Sequence, residues 1–228
     1  VFSGFYLPLM LLLAGLIFRA VAIEFRSKEP STKWRSFWDR SFAIASIVIA
    51  LLMGVALGNI VIGIPVGADK EYAGGFFNLL NPYALIVGVT TVSLFAMHGA
   101  IYLVMKTEGE LQAEAKKWVK SSMIFFGVCY GAVTIATFIF APHMAEKIRQ
   151  QPWLFLLPLA SLLSIANVPR EMSRGKEHLA FLFSCLSIVL LMSLFGLGMY
   201  PNLVPSDINP DYSLTAFNAS ASEATLTT

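Results

Sequence analysis

Six long apolar runs, separated by short blocks that hold nearly all the charge, dominate this 228-residue chain and decide what it can become. They lie at roughly 3–23, 42–63, 84–105, 119–141, 153–168 and 178–199. About 20 apolar residues cross a hydrocarbon core of about 30 Å as a helix. That core holds no water to bond a bare peptide group, so each run must close its hydrogen bonds within itself and is predicted helical. The expected fold class is all-α: a polytopic transmembrane helix bundle of about six spans in this stretch, one transmembrane domain over 1–228. The fifth run is the shortest, with Pro158 inside it and Pro152 and Pro169 at its ends, a deficit that local thinning of the bilayer absorbs. With 13% charged residues against about 25% in soluble domains, the chain is excluded from the soluble class, and no nucleic-acid partner is expected.

The cations orient the spans. Arg26, Lys28, Lys33, Arg35 and Arg40 follow the first run, Lys106, Lys116, Lys117 and Lys120 the third, and Arg170, Arg174 and Lys176 the fifth. The alternate loops hold only Lys70, Lys147 and Arg149. Cytoplasmic loops collect Lys and Arg, so the first, third and fifth connections are expected inside and both ends of this stretch outside. Trp34, Trp38, Trp118 and Trp153 fall near the expected interfaces, where amphipathic rings settle. Segment 107–118 mixes helix formers, acids first and lysines last, and reads either as a helical extension into the fourth span or as a solvated turn. The tail 200–228, rich in Pro, Asn, Ser and Thr, reads as an extracytoplasmic loop toward a missing span.

Ionisable residues inside a span are costly, and the few present are the candidate functional positions. Arg19, with Glu24 after it, either snorkels to the interface or meets an anionic group such as a cofactor propionate or a quinone headgroup. His98 lies well inside the third run, and a single buried His is more often a packing residue than a ligand. The other histidines, His143 and His178, are placed poorly for a second axial haem ligand. Asn59 and Glu108 complete the set of polar positions to test. Gly54 and Gly58 form a G-x-x-x-G spacing that admits a close helix neighbour. Asn81-Pro82 reads as a helix start. Cys129 and Cys185 lie inside apolar runs and read as packing residues. The chain has no haem-attachment Cys-x-x-Cys-His, no Walker loop, no metal-ligand cluster and no nucleophile-base pair, so no catalytic residue and no metal site are expected in it.

Particular strings go further. Phe2-Ser-Gly-Phe-Tyr, Leu16-Ile-Phe-Arg19-Ala-Val-Ala-Ile-Glu24-Phe-Arg26-Ser-Lys28 and Trp34-Arg35-Ser-Phe-Trp38-Asp39 resemble the second subunit of cytochrome bd-type quinol oxidases. So do Gly54-Val-Ala-Leu-Gly-Asn59, Phe77-Asn-Leu-Leu-Asn-Pro-Tyr83, His98-Gly-Ala-Ile-Tyr-Leu-Val-Met-Lys-Thr-Glu-Gly-Glu-Leu111 and Met199-Tyr-Pro-Asn-Leu-Val-Pro-Ser206, in the same order. Where that family carries a Trp after Leu-Thr, this chain has Leu214-Thr-Ala-Phe217-Asn218-Ala219. The family's opening helices and closing helix are not in the sequence, which makes it an internal stretch by resemblance.

The resemblance implies a heterodimer in a bacterial cytoplasmic membrane. Its haem-bearing subunit I holds haem b and haem d, and the complex oxidises quinol, reduces dioxygen to water and generates proton motive force. The present chain would be the second, non-haem-ligating subunit: a scaffold that assembles and stabilises its partner, with a part in proton delivery or in binding a structural quinone. A multi-span secondary transporter is the alternative from another class. It would place Gly/Pro-broken spans in matching halves, whereas Pro8 and Pro158 do not match and no repeat is visible.

Overall fold

The computed structural model describes residues 4–220. The expected start of the first run at residue 3 and the end of the 200–228 tail lie outside the described residues. Among the described residues seven α-helices run in order: α1 (Tyr6–Arg26), α2 (Thr32–Ile62), α3 (Pro82–Lys106), α4 (Gly109–Phe140), the short α5 (Glu146–Gln150), α6 (Leu156–Ser173) and α7 (Glu177–Met199). Among the described residues six helical segments are long and apolar enough to cross a membrane; the fifth is α6 together with the 3₁₀ turn before it, Pro152–Ser173. The protein is an all-α polytopic bundle. Among the described residues its only sheet is a two-stranded antiparallel ribbon, β1 (Asn202–Val204) with β2 (Leu214–Thr215).

Two helices begin well before the apolar runs that announced them. α2 starts at Thr32 rather than near 42, and α4 at Gly109 rather than near 119. Hydropathy marks where a helix meets lipid, while Lys, Glu, Gln and Ala carry the same hydrogen-bond ladder on into water. Of the two readings of 107–118, the helical extension is therefore the one the structure holds. Pro169 was expected to end the fifth span, yet α6 continues through it to Ser173. The ring removes the N–H that would bond the Ile165 carbonyl, a break tolerated because later turns and the buried Glu171 hold this end. At the start of α3 the Asn81 carboxamide accepts from the Ala84 N–H at 2.8 Å, with Pro82 at the first helical position.

Sequence neighbours pack on each other, α1 on α2, α2 on α3, α3 on α4 and α6 on α7, and α3 against α7 joins the two groups. The α2–α3 seam is built from small residues. A Cβ added to Gly54 would come within 2.7 Å of the Gly88 Cα, and one on Gly58 within 2.7 Å of the Ala84 Cα. The α6–α7 seam is built from hydroxyls: Ser164 donates to the Phe183 carbonyl at 2.9 Å and Ser187 to Ser164 at 3.1 Å. Between them lies a core of Leu94, Met97, Ile101, Val104, Phe126 and Val168.

At the end of the bundle opposite the cation-rich turns, the tail is more than a loop. Ile64 and Ser206 form a parallel bridge, Ser206 Oγ donates to the Val66 carbonyl at 2.8 Å, and Lys70 Nζ donates to the Asp211 carbonyl at 2.9 Å. These bonds stitch 200–219 onto the α2–α3 connection as a folded cap. Gly63 turns the chain into it with φ +94°, where a Cβ would also meet the Pro205 carbonyl oxygen at 3.2 Å. Burial, reinforced by Asp207, holds the Tyr72 phenol above its ordinary pKa, so it remains a donor to the Gly75 carbonyl at 2.9 Å.

Candidate functional site

The polar side chains set into the spans divide into those the fold satisfies and those it leaves open. Asn59 is satisfied. Its Nδ2 donates to the carbonyls of Val55 at 2.8 Å and Leu79 at 2.7 Å, and its Oδ1 accepts from Asn81 Nδ2 at 2.9 Å. With 2% of its surface exposed, it is a buried knot tying the end of α2 to the start of α3. Gly54 and Gly58 lie on the same helix, and the neighbour their spacing admits is α3 of this chain.

His98 is held from α7. Its Nδ1 lies 2.9 Å from Ser184 Oγ, and its ring stacks on Phe181 with centroids 5.0 Å apart and planes at 29°. Tyr102, one helical turn along, also packs on Phe181, with centroids 5.7 Å apart. His143 sits in the 3₁₀ turn after α4 and His178 in the first turn of α7. The latter is six residues from the Ser184 level, or about 9 Å along a helix. The described residues thus present no facing pair of histidines, and no group of three or more His, Cys, Asp or Glu fit for a metal.

Arg19 is the open one. It has no ion-pair partner among the described residues, and its guanidinium lies over the Phe42 ring, 5.0 Å from the centroid. Glu24 does not approach it; it pairs with Lys28 at 2.9 Å on the exposed turn. Arg26 is bidentate to Asp39 at 2.6 and 3.3 Å, closing α1 onto α2 beside the rings of Phe25, Trp34 and Trp38. Glu108 precedes α4 at the cation-rich end, exposed and making no capping hydrogen bond. The structure therefore does not gather Arg19, Glu24, His98 and Glu108 into one site.

Sequence reasoning missed three features. Ser184, which holds His98, lies at helical spacing from Ser187 on α7, as Ser161 does from Ser164 on α6; that spacing was the available signal, and Ser187 and Ser164 are the two that bond across the seam. Glu171 is buried with 4% exposure and held by Arg174 at 3.1 Å, with Arg170 at 3.9 Å. A cavity of about 310 Å³ opens between α2, α3, α4, α6 and α7, lined by Leu57, Val87, Phe126, Tyr130, Leu191 and Phe195. Its polar lining is hydroxyl only: Tyr83 bonded to Thr137 at 3.0 Å, and Thr90 donating to the Ile86 carbonyl at 2.8 Å, together with Thr91, Tyr130 and Thr134. Such a chamber suits an apolar chain or ring system rather than an ion.

The profile of the cytochrome bd terminal oxidase subunit II family matches residues 1–228, the whole chain. The chain belongs to that family. It is 32% identical over 255 residues to cytochrome bd-I ubiquinol oxidase subunit 2 of Escherichia coli K12, covering 99% of this chain and 67% of that protein. It is 31% identical to the probable cytochrome oxidase subunit 2 of Haemophilus influenzae, with 99% and 68% covered. It is 27% identical to cytochrome bd ubiquinol oxidase subunit 2 of Bacillus subtilis, with 98% and 65% covered. The chain thus spans about two thirds of the length of these relatives. As a cytochrome bd subunit II it is a multi-pass membrane subunit of an oxidase complex.

Proposed function

We propose that this chain is the scaffold subunit of a respiratory quinol:oxygen oxidoreductase of a bacterial cytoplasmic membrane, its cation-rich end inside. The partner subunit I holds haem b and haem d, oxidises quinol and reduces dioxygen to water, with proton motive force as the yield. This chain holds that partner in place and ligates no haem. The observation that carries the reading is the family match along the entire length. The engagement of His98 by Ser184 and Phe181 supports it, and so do α1, α2, α3, α4 and α7, which run without a break. A transporter would need broken helices at a midplane site.

Two features give the scaffold more specific work. Arg19, lacking a partner in its own chain, is the docking point for an anionic group of the partner, a haem propionate or a carboxylate. Arg19 stands seven residues before the end of α1, and the Phe42 face offsets only part of the cost of an unpaired guanidinium within a span. The cavity between α2, α3, α4, α6 and α7 is where a structural quinone would lodge, its ring among Phe126, Tyr130 and Tyr83. Glu108, at the cation-rich end, is the carboxylate placed to collect protons from the cytoplasm.

Purification in mild detergent tests the assignment: a haem-bearing chain should co-purify, and recovery of this chain alone with no haem spectrum would refute it. Arg19→Leu should weaken association by about 1.5–3 kcal/mol, the worth of a hydrogen bond to a charged group. Unchanged haem content and activity would reduce Arg19 to a snorkelling residue.

A further inference from the structure

The hydroxyls lining the cavity between α2, α3, α4, α6 and α7 all come from α3 and α4, and their protons can be traced one by one. A hydroxyl has a single proton to give and two lone pairs to accept with. Thr90 gives its proton to the Ile86 carbonyl at 2.8 Å, Thr91 to the Val87 carbonyl at 2.9 Å, Thr134 to the Tyr130 carbonyl at 2.7 Å and Thr137 to the Val133 carbonyl at 2.7 Å. Each of these bonds stays within one helix. With the Thr137 proton spent, the 3.0 Å contact between Tyr83 and Thr137 is a donation from the phenol to the threonine oxygen. That leaves Tyr130, whose hydroxyl has no hydrogen-bond partner among the described residues. The lining therefore offers one free donor and several spare lone pairs.

This imbalance selects between two forms of one ring. A ring with two carbonyl groups brings acceptors alone, so Tyr130 serves one oxygen and the other goes without. The same ring in its reduced form brings two O–H donors, which the oxygens of Tyr83 and the threonines accept, while Tyr130 donates to either form. Outside the cavity the lipid tails accept nothing, and an O–H without an acceptor is costly there. The opposite wall, with Leu57 on α2, Pro158 on α6 and Leu191 and Phe195 on α7, is apolar and suits the face of a ring. A volume of about 310 Å³ is small for a ligand cavity and has room for a substituted ring rather than for a long tail as well. Phe138 of α4, 60% exposed, and Pro158 of α6 both line it, and these two helices form no seam among the described residues, so the cavity is open to lipid between them.

Resting on the reading of this cavity as a quinone site, we infer that it takes the reduced form: the two O–H groups of a quinol donate to the hydroxyl oxygens of the α3–α4 wall, and its tail leaves between α4 and α6. A net hydrogen bond shifts an equilibrium about fivefold, so the quinol is favoured over the quinone by about fivefold for one such bond and about 25-fold for two.

The test equilibrates the intact complex, in mild detergent and without oxygen, with decylubiquinone in a pool that mediators hold half reduced. Unbound ligand is removed on a column, and the quinol and quinone that remain are extracted in acid and measured. Leu191→Trp fills the cavity, so its extract gives the share held elsewhere in the complex. The cavity's share should carry at least about five parts quinol to one of quinone. Thr90→Val together with Thr134→Val keeps the shape and removes two acceptors, and should bring that ratio toward the pool's. Tyr130→Phe should leave the ratio unchanged or raise it, because the phenol serves both forms. A cavity share no more reduced than the pool, a ratio unmoved by the valine pair, or a fall with Tyr130→Phe overturns the inference and leaves the quinone reading standing. Equal extracts from the wild-type and Leu191→Trp complexes overturn the quinone reading and the inference with it. If Leu191→Trp does not assemble, the valine pair decides alone: its complex must carry less quinol than the wild type at the same poise, and an equal amount refutes the preference.

Discussion

The α2–α3 seam and the α6–α7 seam solve the same problem in opposite ways. Lipid tails are as apolar as leucine, so two spans gain nothing by hiding apolar surface from each other and must adhere through close packing or interhelical hydrogen bonds. The first seam uses backbone proximity, with Gly54 against Gly88 and Gly58 against Ala84. The second uses hydroxyls, with Ser164 and Ser187 bonded to each other and to the Phe183 carbonyl. Proximity tolerates no added atom, because the obstacle is backbone. Hydroxyl bonds are graded and replaceable: Ser187 also reaches the Phe183 carbonyl of its own helix at 2.8 Å.

The largest expected effect follows from the first half of this contrast. Gly88→Leu would drive a Cβ to 2.8 Å from Val55 Cγ2 and 3.0 Å from the Leu51 carbonyl oxygen, and the helices would have to part. Loss of monodisperse, haem-containing complex is expected. Gly131→Leu, at a position where a Cβ meets nothing within 4 Å, is the control and should purify normally. Equal yields from the two would break the distinction between a seam and a lipid-facing surface.

Next in size is Asn59→Leu. It keeps the approximate volume but strands the carbonyl of buried Leu79, a group that costs about 1–3 kcal/mol when left unpaired, and takes one acceptor from the half-buried Asn81 amide. The apparent melting temperature of the detergent-solubilised complex should fall by several degrees. A fall as small as that of a serine variant would mean the knot is not what holds α2 to α3 at this end.

How much of this was legible beforehand depends on which physics wrote it. The six spans were readable because a bilayer imposes one length and one composition on every crossing, and Gly54-x-x-x-Gly58 announced its seam by spacing alone. The helix starts at Thr32 and Gly109 were displaced because charged helix formers look like loop to a hydropathy scale. The cap of 200–219 was hidden for another reason: its order comes from bonds across more than a hundred residues, such as Ser206 to Val66, which no local pattern encodes. Of the polar candidates, Asn59, Arg19, Glu24 and His98 were visible as residues but not as partners. That Glu24 pairs with Lys28, and that Arg19 is left to Phe42, depends on side-chain direction on one turn of α1. Glu171 was passed over because it sits in a charged turn, where burial is the exception.

The smallest effects sharpen the second half of the contrast. Ser164→Ala removes two bonded partners, and interhelical hydrogen bonds in membranes average about 0.6 kcal/mol, so a melting shift of a degree or two is expected. Ser161 lies one turn away on the same face of α6, fully buried, yet its hydroxyl has no hydrogen-bond partner among the described residues. An unpaired buried hydroxyl has lost its hydration and gained nothing in return, so replacing it with a methyl-sized side chain removes a penalty. Ser161→Ala should therefore leave the melting temperature unchanged or raise it slightly, opposite in sign to Ser164→Ala. If both serines lower stability equally, the seam is held by the packing of small side chains rather than by hydroxyl bonds, and the two seams of the bundle would then be one device.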